Sequence, residues 1–167
     1  LITGASSGLG AEFARQLAPN AHALVLVARR LERLDGLKSE LEGAYGNLTV
    51  HVYGADLGSE DQRVAFVEWL ASQNLKVHFL INNAGLGDQG TFDSSDWKRI
   101  RAILEVNISA LTHLTHLLLP SMTLSGRAAI LNVSSVVGFL PLPSIAVYAA
   151  TKAYVTSLSE ALAIELR

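Results

Sequence analysis

The order of elements in this sequence predicts a doubly wound α/β fold, in which a parallel sheet lies between two layers of helices (three layers, αβα). Short β-rich apolar runs alternate with longer segments of helical periodicity, in the order β-α-β-α-β-α-β-α-β-α. The runs are apolar at consecutive positions, as expected for parallel strands that are covered on both faces. A glycine-rich turn joins the first strand to the first helix, which favours a nucleotide-binding sheet.

Length and composition fit a single domain over residues 1–167. Half of the residues are hydrophobic and the formal net charge is −2, so the sequence has no basic excess for nucleic-acid binding. Cysteine is absent, which excludes disulfides and thiolate metal sites and suits a reducing compartment. The longest apolar runs are too short to cross a bilayer, and no signal peptide is visible. We therefore expect a cytoplasmic protein with no nucleic-acid partner and no membrane span.

The first strand, Leu1-Ile2, leads into the loop Thr3-Gly4-Ala5-Ser6-Ser7-Gly8-Leu9-Gly10. Glycines let a backbone turn tightly and approach a phosphate closely, and the helix that follows offers free N–H groups to an anion. The loop therefore predicts a phosphate-binding turn, with the spacing G-x-x-x-G-x-G. Because the chain opens on the end of an apolar strand and without a methionine, we expect that its N-terminus has been trimmed.

A hydrolase is the alternative for the same loop, since residues 4–8 also match the nucleophile elbow G-x-S-x-G. A hydrolase needs an earlier strand for its oxyanion hole and a late histidine. In this sequence no earlier strand comes before Leu1-Ile2, and the last histidines, His113 and His116, come before the final predicted strand, so this interpretation is disfavoured. The two histidines lack a third ligand at a suitable spacing, and no metal site is predicted.

The second strand, Ala23–Ala28, ends in Arg29-Arg30. In a nucleotide-binding βαβ unit an acid near this point binds the ribose 2′-hydroxyl, whereas a basic residue accommodates a 2′-phosphate. The arginines therefore favour NADP(H) over NAD(H), unless they are only a charge pair at a helix start. Arg29 follows the strand at once. Arg30 could share the phosphate, although its position leaves the side chain freer to face solvent.

The next elements follow the same alternation. Leucines at helical spacing over residues 31–41 predict a second helix that ends at Gly43 or Gly46. Residues 48–53 alternate as the third strand and lead to Asp56-Leu57. Ser59 and Gln62 form a capping box that opens the third helix.

Residues 77–81 predict the fourth strand, which runs into Asn82-Asn83-Ala84-Gly85. Small polar residues at the end of a buried strand suit a backbone that passes close to a ligand. A long helix follows over residues 95–119 and is stopped by Pro120. Asn107 lies in its middle, where asparagine is a mediocre helix former, so this residue either packs harmlessly or has a task.

Residues 128–133 predict the fifth strand, which ends in Ser134-Ser135, and an apolar loop follows over residues 136–145. The last helix, residues 145–167, carries Tyr148 and Lys152 four residues apart, so that their side chains share one face. A phenol has an unperturbed pKa of about 10, and a nearby ammonium favours the phenolate. The pair is therefore a candidate proton-transfer device, although Y-x-x-x-K also occurs as an ordinary surface pair.

Taken together, these residues resemble the classical short-chain dehydrogenase/reductase family, with its Rossmann-type fold, over the whole chain. The resemblance assigns catalysis to Asn107, Ser135, Tyr148 and Lys152. It assigns cofactor binding to Gly4, Ser6, Ser7, Gly8, Leu9, Gly10, Arg29, Arg30, Asp56, Leu57, Asn83, Ala84, Gly85, Tyr148 and Lys152. Ser135 is preferred to its neighbour Ser134 because it directly precedes Val136-Val137-Gly138, where the family's serine usually lies.

The resemblance implies an NADP-dependent oxidoreductase that interconverts a carbonyl compound and a secondary alcohol. Tyr148 would exchange a proton with the substrate oxygen, and Ser135 would hydrogen-bond the same oxygen. Lys152 would bind the nicotinamide ribose and favour the phenolate, and Asn107 would hold a water that links Lys152 to solvent. Ala28 stands where NAD-dependent relatives carry an acid. Ser7 departs from the family's other NADP marker, which is a basic residue at that position.

The family pattern continues beyond this chain, with a sixth strand, usually a seventh, and the segment that covers the substrate. We therefore expect residues 1–167 alone to bind NADP weakly and to show no activity. The apolar loop over residues 139–145 indicates a hydrophobic substrate. The alternatives are a catalytically silent NADP-binding protein, which would lose Tyr148 or Lys152, and an extended-family sugar-nucleotide epimerase, whose glycines are spaced differently.

The predicted helices 95–119 and 145–167 are apolar around more than one stripe, for example at Leu104, Leu111, Leu114, Leu118, Leu158, Leu162 and Leu166. A helix that is buried on one face only does not need that width. Together with the resemblance, this predicts a homodimer or homotetramer built through these two helices.

Overall fold

The computed structural model of the chain describes residues 1–123 and 128–166. Its centre is a parallel five-stranded sheet of order β3-β2-β1-β4-β5, which confirms the predicted fold class. The strands are β1 Ile2–Thr3, β2 Ala23–Ala28, β3 Thr49–Gly54, β4 Phe79–Asn82 and β5 Ala129–Asn132. The order reverses between β1 and β4, and in open α/β sheets such a switch point opens a crevice at the carboxyl ends of the strands.

Helices cover both faces of the sheet. They are α1 Gly8–Leu17, α2 Leu31–Ala44, α3 Glu60–Ser72, α4 Trp97–Leu104, α5 Leu111–Thr123 and α6 Ala146–Glu165. Short 3-10 turns occupy Ala18–Asn20, Phe92–Ser94 and Val136–Phe139, and a π-helical segment, Glu105–Ala110, joins α4 to α5. The predicted last helix ran to Arg167, which lies outside the described residues.

Two hydrophobic clusters form, one on each face, because neighbouring side chains of a strand point to opposite sides. Along β2, Leu26 belongs to the cluster under α1 and α2, together with Leu34. Val27, the next residue, belongs to the cluster under α3 and α5, together with Phe66 and Leu114. These five side chains are at most 1% exposed, so each contributes about 1.5–3 kcal/mol of hydrophobic burial. The sheet is therefore held from both sides and presents a rigid edge to the site.

The long helix differs from its prediction at both ends. It begins at Trp97, after Asp96, whose side chain accepts a hydrogen bond from the N–H of Lys98 at 3.0 Å. It continues through Pro120 to Thr123, so the prediction that Pro120 stops it was wrong. A proline removes one backbone hydrogen bond and crowds the preceding turn, but Leu118 and Met122 on either side of Pro120 are buried in the core and keep the segment helical.

The continuous helix from Trp97 to Met122 is long and apolar enough to cross a membrane by length and composition alone, with a mean hydropathy of 1.3. This is weak evidence for a membrane span, because the core helix of a globular domain passes the same test. Within α5, Leu111, Leu114 and Leu118 are 1–6% exposed and pack in the chain's own core. The chain's own core accounts for the burial of these three leucines, so they do not support the contact between subunits that was predicted from the sequence.

Candidate active site

A groove of about 300 Å³ lies along the carboxyl ends of the strands. The structure brings most of the sequence-predicted cofactor residues together in its lining, which includes Gly4, Ser6, Ser7, Leu9, Arg29, Arg30, Asp56, Leu57, Asn83, Ala84 and Gly85. Ala55, Leu86 and Val106 line it too and were not predicted. They are apolar residues next to predicted ones, so only their neighbours in sequence could have pointed to them.

The glycine loop owes its shape to close packing as well as to its backbone angles. Gly4 and Gly8 have φ values of +68° and +56°, which favour glycine. Gly10 lies under the loop. A Cβ at Gly10 would be 2.4 Å from the carbonyl oxygen of Gly4 and 2.5 Å from Nδ2 of Asn83. Even alanine at this position would therefore displace the loop or the Asn83 side chain.

Thr3 joins the glycine loop to the segment after β4. Its Oγ1 accepts hydrogen bonds from the N–H groups of Asn83 at 3.0 Å and Ala84 at 2.9 Å. In return, Nδ2 of Asn83 donates to the Thr3 carbonyl oxygen at 3.0 Å. Sequence reasoning missed this role of Thr3. A polar residue at the end of an apolar strand was the only signal available.

Arg30 extends across the glycine loop. Its Nη2 donates hydrogen bonds to Oγ of Ser7 at 2.7 Å and to Oγ of Ser6 at 3.0 Å. The side chain is exposed, as expected from its position at the helix start, but the two loop serines fix its orientation. The residue is the N-cap of α2, with φ −93° and ψ 87°, and from this corner its exposed side chain reaches back to the loop. Arg29, the residue favoured from the sequence, also lines the groove.

The turn after β3 is held from α3. The Ser59 side chain accepts the N–H of Gln62 at 3.4 Å, which confirms the first half of the predicted capping box. The second half was wrong, because Oε1 of Gln62 accepts from the N–H of Asp56 at 2.7 Å instead of reaching Ser59. The hydrogen bond to Gln62 fixes the backbone of Asp56 at the edge of the groove.

Arg63 supports the same turn from beneath and was missed by sequence reasoning. Its Nη1 donates to the carbonyl oxygen of Leu57 at 2.7 Å, and its Nε donates to Nδ1 of His113 at 3.1 Å. His113 is thus a hydrogen-bond acceptor here.

Across the described residues, no group of three or more potential side-chain ligands could hold a metal ion.

Tyr148 and Lys152 share one face of α6, as predicted. Nζ of Lys152 lies 5.7 Å from the centroid of the Tyr148 ring and donates a hydrogen bond to the carbonyl oxygen of Val133 at 2.8 Å. Lys152 is 6% exposed, and its burial lowers the pKa of the ammonium. A Cβ at Gly85 would lie 3.6 Å from Nζ, so the ammonium adjoins the residue that lines the groove. The Tyr148 ring itself faces Gly87.

The two candidate serines have different surroundings. Oγ of Ser134 donates to the carbonyl oxygen of Lys152 at 2.9 Å and is hydrogen-bonded with Oγ1 of Thr156 at 2.7 Å. Ser134 therefore ties β5 to α6. Oγ of Ser135 accepts only a long bond, 3.4 Å, from the N–H of Val137, and its hydroxyl hydrogen remains available. This difference favours Ser135 as the group that meets a substrate.

Asn107 lies in the π-helical segment and is 2% exposed. Its Oδ1 accepts the N–H of Leu86 at 2.8 Å, while its Nδ2 donates to the Leu86 carbonyl oxygen and to Oγ1 of Thr151, both at 2.9 Å. Both amide hydrogens are therefore used by protein groups. Asn107 joins the loop after β4 to the helix that carries Tyr148 and Lys152. Single π turns within α-helices are frequent at functional sites.

Comparison with known proteins shows the family to which the chain belongs. The short chain dehydrogenase family model matches residues 1–167. Sulfoacetaldehyde reductase of Chromohalobacter salexigens is 40% identical over 171 residues, which cover 99% of this chain and 65% of that protein. The very-long-chain 3-oxoacyl-CoA reductase of Kluyveromyces lactis is 35% identical over 173 residues, covering 99% of this chain and 50% of that protein.

The chain also resembles a solved structure. A short-chain dehydrogenase from Sphingobium yanoikuyae in complex with NADPH superposes with a TM-score of 0.91 at 41% identity. The match covers 99% of this chain and 64% of that one. The chain thus spans between half and two thirds of the length of these relatives.

Proposed function

Because the chain belongs to the short-chain dehydrogenase family, we propose that it works as an NADP-dependent oxidoreductase in the cytoplasm, on carbonyl compounds or secondary alcohols. The observation that carries this proposal is the position of the Lys152 ammonium, which is buried beside Tyr148 and next to the lining of the glycine-loop groove. A proton-transfer pair next to a groove at the carboxyl ends of a doubly wound sheet is an arrangement that suits hydride transfer to a carbonyl.

The residues of the groove fit NADP(H). Gly4 and Gly10 let the loop pack closely against Ala84 and the Asn83 side chain, and the N-terminus of α1, which begins at Gly8, offers N–H groups to a pyrophosphate. The Arg30 guanidinium, already oriented over the loop by Ser6 and Ser7, offers donors to a 2′-phosphate. When bound, the cofactor supplies or accepts the hydride. Complexes of relatives with NADPH agree with this choice.

Three side chains take part in the proposed reaction at the substrate oxygen. Tyr148 gives or takes the proton as the bond order of the carbonyl changes. Ser135 donates its free hydroxyl hydrogen to the same oxygen and fixes its position. Lys152 places its ammonium beside the phenol ring and next to Gly85 of the groove lining, where it can bind the nicotinamide ribose.

We assign a positioning role to Asn107. Through Leu86 and Thr151 it sets the distance between the loop that lines the groove and the catalytic helix. The water that the family resemblance places here would have to bind the remaining lone pair of Oδ1 or the backbone, because both Nδ2 hydrogens are already donated.

The substrate that we propose is apolar around its carbonyl. Val136, which directly follows Ser135, is 80% exposed, and Phe139 and Leu140 in the same loop are 70% and 62% exposed. Exposed side chains of this size in one segment indicate a hydrophobic contact surface. Since they begin one residue after Ser135, the contact surface adjoins the reacting oxygen.

We also propose a homo-oligomer built through helices 95–119 and 145–167. The surface that we propose for it lies on α6, where Ile164 is 70% exposed and Tyr154 is 36% exposed, and continues to Leu166, which directly follows the helix and is 44% exposed.

Transfer of a deuterium label tests the proposed reaction. The full-length protein is incubated with NADPH carrying deuterium at nicotinamide C4 and with a panel of aromatic and long-chain ketones. We expect deuterium on the carbinol carbon of the product, and mass spectrometry detects it. Reduction of none of these ketones, and oxidation of none of the matching alcohols, would contradict the proposal.

A further inference from the structure

Two segments of the groove lining, which we call its walls, come from different parts of the chain. Asp56 and Leu57 follow β3, and Val106 lies on the π-helical segment. A Cβ placed at Gly58, the residue after Leu57, would be 3.7 Å from Cγ2 of Val106, so the two walls lie close to each other. The family resemblance assigns the adenine of the cofactor to the Asp56-Leu57 wall.

Arg63 is buried behind the turn that carries Leu57, and it has no carboxylate partner among the residues that the structure describes. It is 3% exposed, and the ion pairs of the described residues are formed by other side chains. Its hydrogen bonds go instead to two neutral groups, the carbonyl oxygen of Leu57 and Nδ1 of His113. Burying a cation without a countercharge is costly, and an apolar side chain would fill the same space without that cost.

The two bonds of Arg63 reach the two walls. Leu57 belongs to the first wall. His113 is seven residues after Val106 in the same continuous helix, which carries the second wall. For Nδ1 to accept a hydrogen bond, the imidazole must be neutral and carry its proton on Nε2. The guanidinium therefore acts as a rigid spacer between the turn and the helix.

We infer that Arg63 and His113 are positioning residues for the adenosine half of the dinucleotide: together they set the separation of the two walls between which the adenine is held. This inference rests on the proposed function. Neither side chain is placed in contact with the nicotinamide half, so the pair acts on affinity for one end of the cofactor and not on the chemical step.

Fragments of the cofactor separate this role from a general effect on folding. Dissociation constants are measured on the full-length protein for NADPH, for 2′,5′-ADP, which keeps only the adenosine half, and for reduced nicotinamide mononucleotide, which keeps only the other half. In Arg63→Met we expect binding of NADPH and 2′,5′-ADP to weaken by about tenfold, the size of one lost hydrogen bond to a charged group. Binding of the mononucleotide should stay within about twofold.

Variants of the histidine make the test independent of Arg63→Met, should that variant fail to fold. His113→Phe removes the acceptor and should weaken the same two ligands. His113→Gln keeps an acceptor oxygen and should restore most of the affinity. His116→Gln, an exposed histidine one turn further along α5, is the matched control and should change nothing.

Equal losses for all three ligands, or no loss in folded His113→Phe, would overturn the inference while leaving the proposed function intact. A wild-type protein that binds neither NADPH nor 2′,5′-ADP would overturn both.

Discussion

Gly138 lies directly against the backbone of Lys152. A Cβ at Gly138 would be 2.8 Å from the carbonyl carbon of Lys152 and 2.9 Å from the N–H nitrogen of Ala153. These atoms belong to a helix and cannot move independently of it. The turn that begins at Ser135 and the helix that carries Lys152 are therefore in register only while residue 138 has no side chain.

Gly138→Ala should lower both stability and turnover. The added methyl group must push the turn away from α6, and overpacking of this kind costs about 1–3 kcal/mol. Because the turn carries Ser135, kcat should fall more than cofactor affinity. Gly36→Ala is the matched control, since a Cβ at Gly36 in α2 meets nothing within 4 Å and should be neutral or stabilising. Wild-type kcat in Gly138→Ala would contradict the prediction.

Tyr148→Phe should abolish turnover and leave NADPH affinity nearly unchanged, because it removes the proton carrier and little else. Steady-state kinetics and a binding titration on the full-length protein check both halves. The control is Tyr154→Phe on the same helix, whose hydroxyl is hydrogen-bonded with Thr112. Residual activity within about tenfold of wild type, a loss of only about 1.4 kcal/mol of transition-state stabilisation, would exclude Tyr148 as the acid/base.

Arg30→Ala should reduce the preference for NADPH over NADH, measured as the ratio of the two kcat/KM values. One charge-assisted hydrogen bond to the 2′-phosphate is worth about 1.5–3 kcal/mol, which is roughly a 10- to 150-fold preference. Arg33→Ala, an exposed arginine on α2, is the control. An unchanged ratio would mean that Arg30 serves only to hold Ser6 and Ser7.

Ala28→Asp combined with Arg29→Ala should invert that preference. The new carboxylate would accept hydrogen bonds from the ribose hydroxyls of NAD and repel the phosphate of NADP. Comparing this double variant with Arg30→Ala shows which arginine carries more of the selectivity. A ratio that the double variant leaves unchanged would show that Arg29 is only a solvated charge.

Stability should depend on pH through Lys152. Burial lowers its pKa in the folded state below the ordinary value of 10.5. Between the two pKa values the unfolded chain keeps the proton that the folded chain has released, so the free energy of unfolding rises with pH in this window. The penalty for burying the ammonium is complete below the folded pKa and disappears towards pH 10.5.

Denaturant titrations of the cofactor-free protein between pH 7 and 10.5 check this. The stability of wild type relative to Lys152→Met should increase as the pH rises. Lys76→Met, at an exposed lysine, is the control and should not share this trend. Parallel curves for wild type and Lys152→Met would contradict the prediction.

Ile164→Glu should weaken self-association if α6 forms the proposed contact. The side chain is 70% exposed, so the substitution leaves the core intact while placing a charge in an apolar interface. Analytical ultracentrifugation of the full-length protein at micromolar concentration should show an oligomer for wild type and a smaller species for the variant. A monomeric wild type would refute the assembly.

The sequence predicted those features that depend on neighbouring residues. The bounds of β2 agree with the structure because a short, continuous apolar run that contains two valines is typical of a buried parallel strand. Tyr148 and Lys152 meet because helical spacing alone brings them together. Features set by distant partners were not predictable. The orientation of Arg30 depends on Ser6 and Ser7, and the buried place of Arg63 depends on His113, 50 residues away.

The long helix shows the same limit. Pro120 and Asn107 both have poor intrinsic helix propensity, and a prediction from neighbouring residues alone depends on that propensity. In the structure the helix passes through both, because packing in the core outweighs one missing backbone bond and because the π-helical segment accommodates Asn107 and its bonds to Leu86 and Thr151.

The bonds from Asn83 and Ala84 to Thr3 also determine when each half of the site can form. They close a loop of 80 residues, whereas Lys152 meets Val133 across only 19. Closing the longer loop costs more chain entropy, and contacts of high sequence separation form slowly. A ribosome adds about 5–20 residues per second, so Asn83 and Ala84 are synthesised several seconds after Thr3. The glycine loop is synthesised before β4 but acquires its final shape only after β4 has joined the sheet.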